Sequence, residues 1–504
     1  MMWMFWLLGS IVAFHSLSCT HSHLCPKKCV CEHTKSVQCF RIQAVPSGLS
    51  LDVRKLNLAY NHIKEIKGRD FTGLSDLQEV SLSSCGVELL EINAFLPQTS
   101  LRVLDLQKNK LRHVPRGLPS SLEVLRVGHN HIHGLQGVAF EGLHHLRVLD
   151  LQSNMITVLR ANTLSALVKL ECLYLDGNRI ETVNGALRLP QLNLLSMTSN
   201  RISSLSSALF ASLQSLRTLQ LSENLLTRLP HNLPRALLHL SLDRNKIRTL
   251  RNRDLAQLRN LTVLSVSANK VSSIDGGLRL PNLTSLELSG NQLKVLPGRL
   301  ASKLETLDCR QNALQEVTHQ HLSGMRHLKH LFLENNTIRH FEAKALRNCF
   351  QLTNLALEQN LLTSIPEGLP DTLVRLDLKQ NRIDTIQEKE MRTLKRLQVL
   401  NLRNNHLSSL SLAVLAHLPR LQRMFLGGNP WNCSCELLRV KHRLMVRQVD
   451  IGEELCVEPA PTLGDHWRAS LLEQPRCIND AAEDTDYSGP EEQTENEEYY
   501  DYDV

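Results

Sequence analysis

The chain predicts an α/β fold of the leucine-rich repeat solenoid type, and three observations carry that expectation. A pattern L-x-x-L-x-L-x-x-N-x-(L/I/V) recurs through most of its 504 residues. Cysteines gather at both ends of the repeated region. Aromatics make up only 4% of the residues, while Leu is abundant and evenly spaced. A single globular core of this length uses more Phe, Tyr and Trp, whereas stacked short coils fill themselves with Leu.

The repeat is explicit in "LRVLDLQKNKL", "LVRLDLKQNRI" and "LQVLNLRNNHL". Its ladder position recurs seventeen times, at Asn61, Cys85, Asn109, Asn130, Asn154, Asn178, Asn200, Asn224, Asn245, Asn269, Asn291, Asn312, Asn336, Asn360, Asn381, Asn405 and Asn429. Steps between them are 21 or 22 residues and 24 residues. In x-L-x-L-x the side chains alternate, so the Leu pair points inward and its neighbours line a concave parallel sheet. Each strand is satisfied only by the strands of adjacent coils. The Asn amide is expected to bond backbone groups of neighbouring coils that burial would otherwise leave unpaired. Short steps carry "VPRGLPSSL", "LPHNLPRAL" and "IPEGLPDTL", where two prolines forbid a regular helix. Long steps such as "AFEGLHHL" allow one helical turn, so the convex side is expected to be irregular with short helices.

Open solenoid ends expose a strip of Leu and require caps. Eight cysteines sit where caps belong: Cys25, Cys29, Cys31 and Cys39, then Cys433, Cys435, Cys456 and Cys477. Clustered even numbers read as disulfides, which fits an oxidising compartment. The apolar run from Met1 to Phe14, followed by Ser16, Ser18 and Cys19, reads as a secretion signal, and no later stretch is apolar enough to anchor in a membrane. The expected organisation is signal peptide 1–19, N-terminal cap 20–50, solenoid 51–429, C-terminal cap 430–478 and a disordered acidic tail 479–504. The net charge of +7 hides an asymmetry, because eleven acids and no Lys or Arg lie between Asp480 and Val504. Composition of that kind buries too little apolar surface to fold.

The N-terminal cysteine cluster, the 21-24-24 rhythm and the absence of an anchor resemble the small leucine-rich proteoglycans of extracellular matrix. The resemblance covers about residues 25 to 477. It implies a secreted, non-enzymatic protein with two kinds of partner, collagen and growth factors of the transforming growth factor-β type, whose sequestration would inhibit their signalling. Two features depart from the family pattern. The "NPWNCSC" cap is of a kind found on receptor ectodomains, and the first cluster has a seven-residue gap before Cys39. The first departure keeps open a soluble receptor-like ectodomain that binds a cell-surface protein. Pairing of two copies is also left open.

Candidate sites follow from the coil geometry. Outward concave positions concentrate charge and aromatics in two zones. One holds Asp105, Arg126, Asp150, Tyr174 and Asp176; the other holds Asp308, Arg310, Phe332, Glu334, Glu358, Asp377, Lys379 and Arg403. Exposed aromatics flanked by charge are what contact surfaces use. The stretch between the zones is mostly Ser. In the C-terminal cap Arg439, Arg443 and Arg447 lie four apart with Lys441 and His442 beside them, a face suited to heparan sulfate if helical. Asn260, Asn282, Asn335 and Asn432 begin N-glycosylation sequences, Asn432 in crowded surroundings. Tyr487, Tyr499, Tyr500 and Tyr502 stand among acids, the setting for tyrosine sulfation, and Ser488-Gly489 follows acids as glycosaminoglycan attachment sites do.

Three further features are read as structural. His129, His131 and His133 occupy the open positions of one coil and make no metal site. Cys85, Cys309 and Cys349 take interior positions as inert thiols, whereas Cys172 faces outward and is expected to react or pair. No nucleic-acid motif, cofactor loop or catalytic signature is present, so neither an enzyme nor a cofactor is expected.

Overall fold

A computed structural model describes residues 25–32, 35–275, 277–298 and 300–452. The signal segment, Cys456, Cys477, Ser488 and the four tail tyrosines lie outside the described residues. The chain divides into two units, 1–219 and 220–504.

The first unit begins with an antiparallel hairpin, Cys29–Glu32 against Ser36–Cys39. Disulfides Cys25–Cys31 and Cys29–Cys39 close it. Its second strand then pairs in parallel with Lys55–Asn57, the first repeat strand, so the cap satisfies the sheet edge that the solenoid would otherwise expose. From there the strands Glu79–Ser81, Val103–Asp105, Val124–Arg126, Val148–Asp150, Cys172–Tyr174 and Leu194–Ser196 follow in parallel, each in register with the last. In the second unit the same ladder runs from His239–Ser241 through Val263–Ser265, Ser285–Glu287, Thr306–Asp308, His330–Phe332, Asn354–Ala356, Arg375–Asp377 and Val399–Asn401 to Arg423–Phe425. At its end Met424 N–H donates to Asp450 O and Asp450 N–H to Gln422 O, both at 2.8 Å, closing the last strand.

The middle residue of each repeat strand and the residue two positions on are buried, as with Leu331 and Leu333 or Leu307 and Cys309. The ladder Asn does the stitching. Asn154 Nδ2 donates to Val127 O at 3.0 Å, Leu151 O at 3.1 Å and Gln152 O at 3.3 Å, while its Oδ1 accepts from Ile132 N–H at 3.0 Å. One side chain thus satisfies groups of its own coil and of the coil before. Cys85 cannot accept in this way, so Ile63 N–H turns to the Cys85 carbonyl and the thiol donates to Leu58 O at 2.9 Å.

A regularity that the pattern did not announce lies immediately before the ladder. Tyr60, Ser84, Lys108, His129, Ser153, Gln311, Gln359 and Asn404 all have φ between 51° and 59°. Side-chain-bearing residues adopt this left-handed conformation at a cost of roughly 1–2 kcal/mol, and the ladder residue that follows, Asn everywhere but at Cys85, holds the turn. The convex side carries single turns such as Gly68–Phe71, Ser207–Phe210 and Glu388–Met391. It also carries small parallel pairs that were not foreseen, among them Val158–Arg160 with Thr182–Asn184 and Glu316–Val317 with His340–Phe341. They form where a 24-residue coil is followed by another coil long enough to bring extended backbone alongside.

Candidate ligand-binding face

The concave strands of each unit set the outward side chains in columns, and the two predicted zones differ in how those side chains are engaged. In the first unit Asp150 is buried and fully occupied. Its Oδ2 accepts from Gln107 Nε2 at 2.6 Å and Gln152 Nε2 at 3.2 Å, and its Oδ1 from Gln152 N–H at 3.0 Å. The Gln107 bond crosses two coils, and Gly128 makes room for it: a Cβ there would lie 3.0 Å from Gln152 Cγ and 3.1 Å from Asp150 Oδ1. Asp176 accepts from Thr198 N–H at 2.7 Å and from the Ser196 hydroxyl. Asp105 accepts from Gln107 N–H at 3.0 Å. Arg126 is exposed and stands between Asp105 and Asp150 in the strand register.

Tyr174 is half-buried, and burial together with Cys172 raises its phenol above the usual range. Cys172 is only partly exposed, and burial followed by the Glu171 carboxylate raises its thiol. The nucleophile is the thiolate, and its population falls as the pKa rises. Cys85, Cys309 and Cys349 are buried, and burial pushes Cys349 up to about 12.

In the second unit Asp308 and Arg310 pair, Arg310 Nη2 to Asp308 Oδ2 at 2.8 Å and Nε to Oδ1 at 3.1 Å. The guanidinium also lies 5.4 Å from the Phe332 ring centre, with His330 stacked on the same ring at 6.2 Å. Arg403 repeats the arrangement over Phe425 at 4.5 Å. Phe332 and Phe425 are both half-buried, with their faces accompanied by cations. Asp377 accepts from Lys379 N–H at 3.1 Å and Asn401 Nδ2 at 3.0 Å, with Arg375 4.0 Å away. Glu334 and Glu358 differ from every acid in the first zone. Each has one buried carboxyl oxygen, Oε2, without a hydrogen-bond partner. Burial and the facing Glu358 push Glu334 up to about 9, and burial with Asp377 raises Glu358 too.

The Ser-rich stretch is more structured than its composition suggested. Ser265 Oγ lies within hydrogen-bonding distance of Asp243 Oδ1, at 2.5 Å, and of Glu287 Oε2, at 2.9 Å, with one proton to give, and Ser267 N–H donates to Asp243 at 2.7 Å. An open depression of about 640 Å³ is lined by Ser222, Asp243, Ser265, Glu287, Arg310 and Phe332. Asp243 was missed. It occupies the same column as Arg310 and Glu334, and that column position was the available signal.

The cap helix Cys435–Val446 is shorter than the basic pattern required. Lys441 is buried, and Arg447 lies past the helix end with its guanidinium donating to Leu415 O and Leu418 O. Two of the five basic side chains therefore serve the cap itself, leaving Arg443 and His442 exposed. Cys433 and Cys435 are disulfide-bonded. Of the sugar positions, Asn260, Asn335 and Asn432 are exposed and Asn282 is half-buried; exposure of Asn432 runs against the expected crowding. His129, His131 and His133 are exposed around one turn. No helix among the described residues is long and apolar enough to cross a membrane.

Stacked parallel strands, Asn ladders and a disulfide-closed N-terminal cap define a capped leucine-rich repeat solenoid. Leucine rich repeat family models match residues 120–180, 302–362 and 371–430, and a two-copy repeat model matches 259–298. Nephrocan of Mus musculus is 46% identical, over 88% of this chain and 87% of that protein. Podocan-like protein 1 of Homo sapiens is 30% identical, over 88% and 90%. Among solved structures, a leucine-rich repeat protein of Leptospira interrogans superposes with a TM-score of 0.62 at 26% identity, covering 80% of this chain and 96% of that one. The chain belongs to the small leucine-rich proteoglycan family of extracellular-matrix leucine-rich repeat proteins.

Proposed function

We propose that the protein is secreted and captures protein ligands on its concave face, sequestering a growth factor of the transforming growth factor-β type, binding collagen, or both. The observation that carries this reading is the pair of half-buried phenylalanines, Phe332 and Phe425, each beneath a guanidinium on the same concave sheet. Aromatic and arginine side chains held rigidly at the centre of a surface are the usual anchors of protein recognition. Sulfation at Tyr487, Tyr499, Tyr500 and Tyr502, and a glycosaminoglycan on Ser488, would add anionic capture by the tail. Sugars on Asn260, Asn282, Asn335 and Asn432 belong to the same proposal, as does the remaining basic face of the C-terminal cap for heparan sulfate.

The test is binding of the secreted full-length chain to a transforming growth factor-β dimer and, in parallel, to collagen fibrils, each at low and high salt. Phe332→Ala combined with Phe425→Ala is expected to weaken binding about tenfold or more, with modest salt dependence. Unchanged affinity in that variant, together with collapse at high salt, transfers capture to the acidic tail. Absence of binding to both ligands overturns the matrix reading, and saturable binding to matrix-stripped cells then favours a receptor-like ectodomain.

A further inference from the structure

In the second unit, the residues two positions beyond each outward strand residue form a column of their own. From one coil to the next it reads Arg310, Glu334, Glu358, Lys379 and Arg403. Two acids on consecutive coils are bracketed by cations, and coils in such a sheet repeat at about 4.8 Å. Between Phe332 and Asp377 in the adjoining strand column sits Ala356, the smallest side chain of the stretch.

Two of the neighbouring cations have other work. Arg310 is held by Asp308 and lies over Phe332, and Arg375 stands 4.0 Å from Asp377. The two glutamates do not. Glu334 is 9% exposed, yet its Oε2 has no hydrogen-bond partner, and Glu358 Oε2 is in the same condition. Buried polar oxygens are almost always satisfied, and two neighbouring ones that no other protein group bonds mark a place that a ligand's donor can take over from the carboxyl proton.

We propose that Glu334 and Glu358 form a socket for one cationic side chain, guanidinium or ammonium, from a basic segment of a protein ligand. The inference rests on the concave face being the binding surface. A guanidinium fits best, because its planar fork can give parallel N–H bonds to carboxylates on two neighbouring coils.

Charge balance agrees with a single cation. Facing the pair are Asp308 and Arg310 from the preceding coil and Arg375, Asp377 and Lys379 from the following one, with His330 on the strand of Glu334. Burial lowers His330, which leaves it neutral near neutral pH. With both glutamates ionised, the four carboxylates outnumber the three cations by one. In the unliganded chain Glu334 lies at about 9 and keeps its proton at neutral pH. Seating a cation favours the carboxylate, so the O–H bond of Glu334 breaks, its proton passes to buffer and the carboxylate takes up the ion pair. No other reactant is needed. Binding at the socket therefore releases a proton and tightens as pH rises from about 6 to about 9, whereas ordinary surface carboxylates are already ionised across that range.

The experiment is calorimetric titration of the full-length chain with hexa-arginine and hexa-lysine peptides near pH 7.4, in two buffers of unlike ionisation enthalpy. Acids of the tail also attract these peptides, but they are ionised beforehand and release no proton, so proton release isolates the socket. Wild type is expected to release about one proton per peptide bound at the socket. Combined Glu334→Gln and Glu358→Gln substitution is expected to abolish that release and weaken the socket phase roughly tenfold. Release with both peptides assigns the socket to either cation, and release with hexa-arginine alone assigns it to guanidinium. Release that persists in the double variant, or none in wild type, overturns the proposal.

Gln matches the shape of a protonated Glu, so the variant should melt with wild type near pH 4, where the unfolded chain is protonated too. Should it fail to fold, wild-type affinity alone decides: a rise between about pH 6 and pH 9 supports the socket and a flat profile contradicts it. Loss of the socket with growth-factor or collagen binding retained removes this inference and leaves the concave-face reading standing.

Discussion

Asp150 in the first unit and Glu334 in the second are both buried acids on a concave column, yet they stand in opposite conditions. Asp150 accepts three hydrogen bonds from Gln107 and Gln152. Glu334 has a buried oxygen with none and a carboxyl that burial and Glu358 push up to about 9. The same coil geometry thus makes an acid either part of the scaffold or available to something else. What decides is which side chains stand around it. Glutamines and a glycine surround Asp150, whereas Glu334 meets a second carboxyl.

The comparison breaks first if the scaffolds themselves differ. Asn154→Ala in the first unit and Asn269→Ala in the second each remove four ladder hydrogen bonds. Each is expected to cost about 3 kcal/mol or more, read as a fall in the urea midpoint. Equal losses confirm that the units share one stitching and differ only on their faces.

A second effect concerns pH. Glu334 has a folded pKa raised far above that of the unfolded chain, so the native state holds the extra proton between the two values. Stability from this group is complete below about pH 4.5 and is lost as pH climbs toward 9. Glu334→Gln is expected to flatten that decline, with a gain of several kcal/mol at pH 9, at most about 6, and less than about 1 kcal/mol near pH 5, measured by melting across the range. A decline that is unchanged in the variant removes the contrast.

Smaller effects sharpen it. Asp150→Ala leaves Gln107 and Gln152 without their acceptor and is expected to cost about 1–2 kcal/mol at every pH from 6 to 9 while leaving ligand binding intact. Gly128→Ala pushes a methyl against Gln152 and Asp150 and is expected to cost about 1 kcal/mol, partly relieved because the glutamine can move.

Much of this was legible in the chain. The Leu spacing set the inward and outward columns, and the ladder Asn announced its own hydrogen bonds, because one period and one residue type encode both. The left-handed residue before each Asn was not legible, since Tyr60, Lys108 and Gln359 carry no common side-chain signal and the conformation is imposed from the next position. The engagement of each acid was hidden for a similar reason. Asp150 and Glu334 sit in different concave columns, but neither position discloses its partners, which are set by contacts spanning coils, such as Gln107 to Asp150. The cap helix misled because spacing by four says nothing about where a helix stops, and Arg447 falls just past its end.

The most direct test compares two sets of substitutions in the full-length chain against one immobilised transforming growth factor-β dimer. One set is Glu334→Gln with Glu358→Gln in the second unit, and the other is Asp150→Asn with Asp176→Asn in the first. The account expects the glutamate pair to weaken binding about tenfold and the aspartate pair to leave it within about twofold. Loss of binding from the aspartate pair alone, with the glutamate pair indistinguishable from wild type, would contradict it.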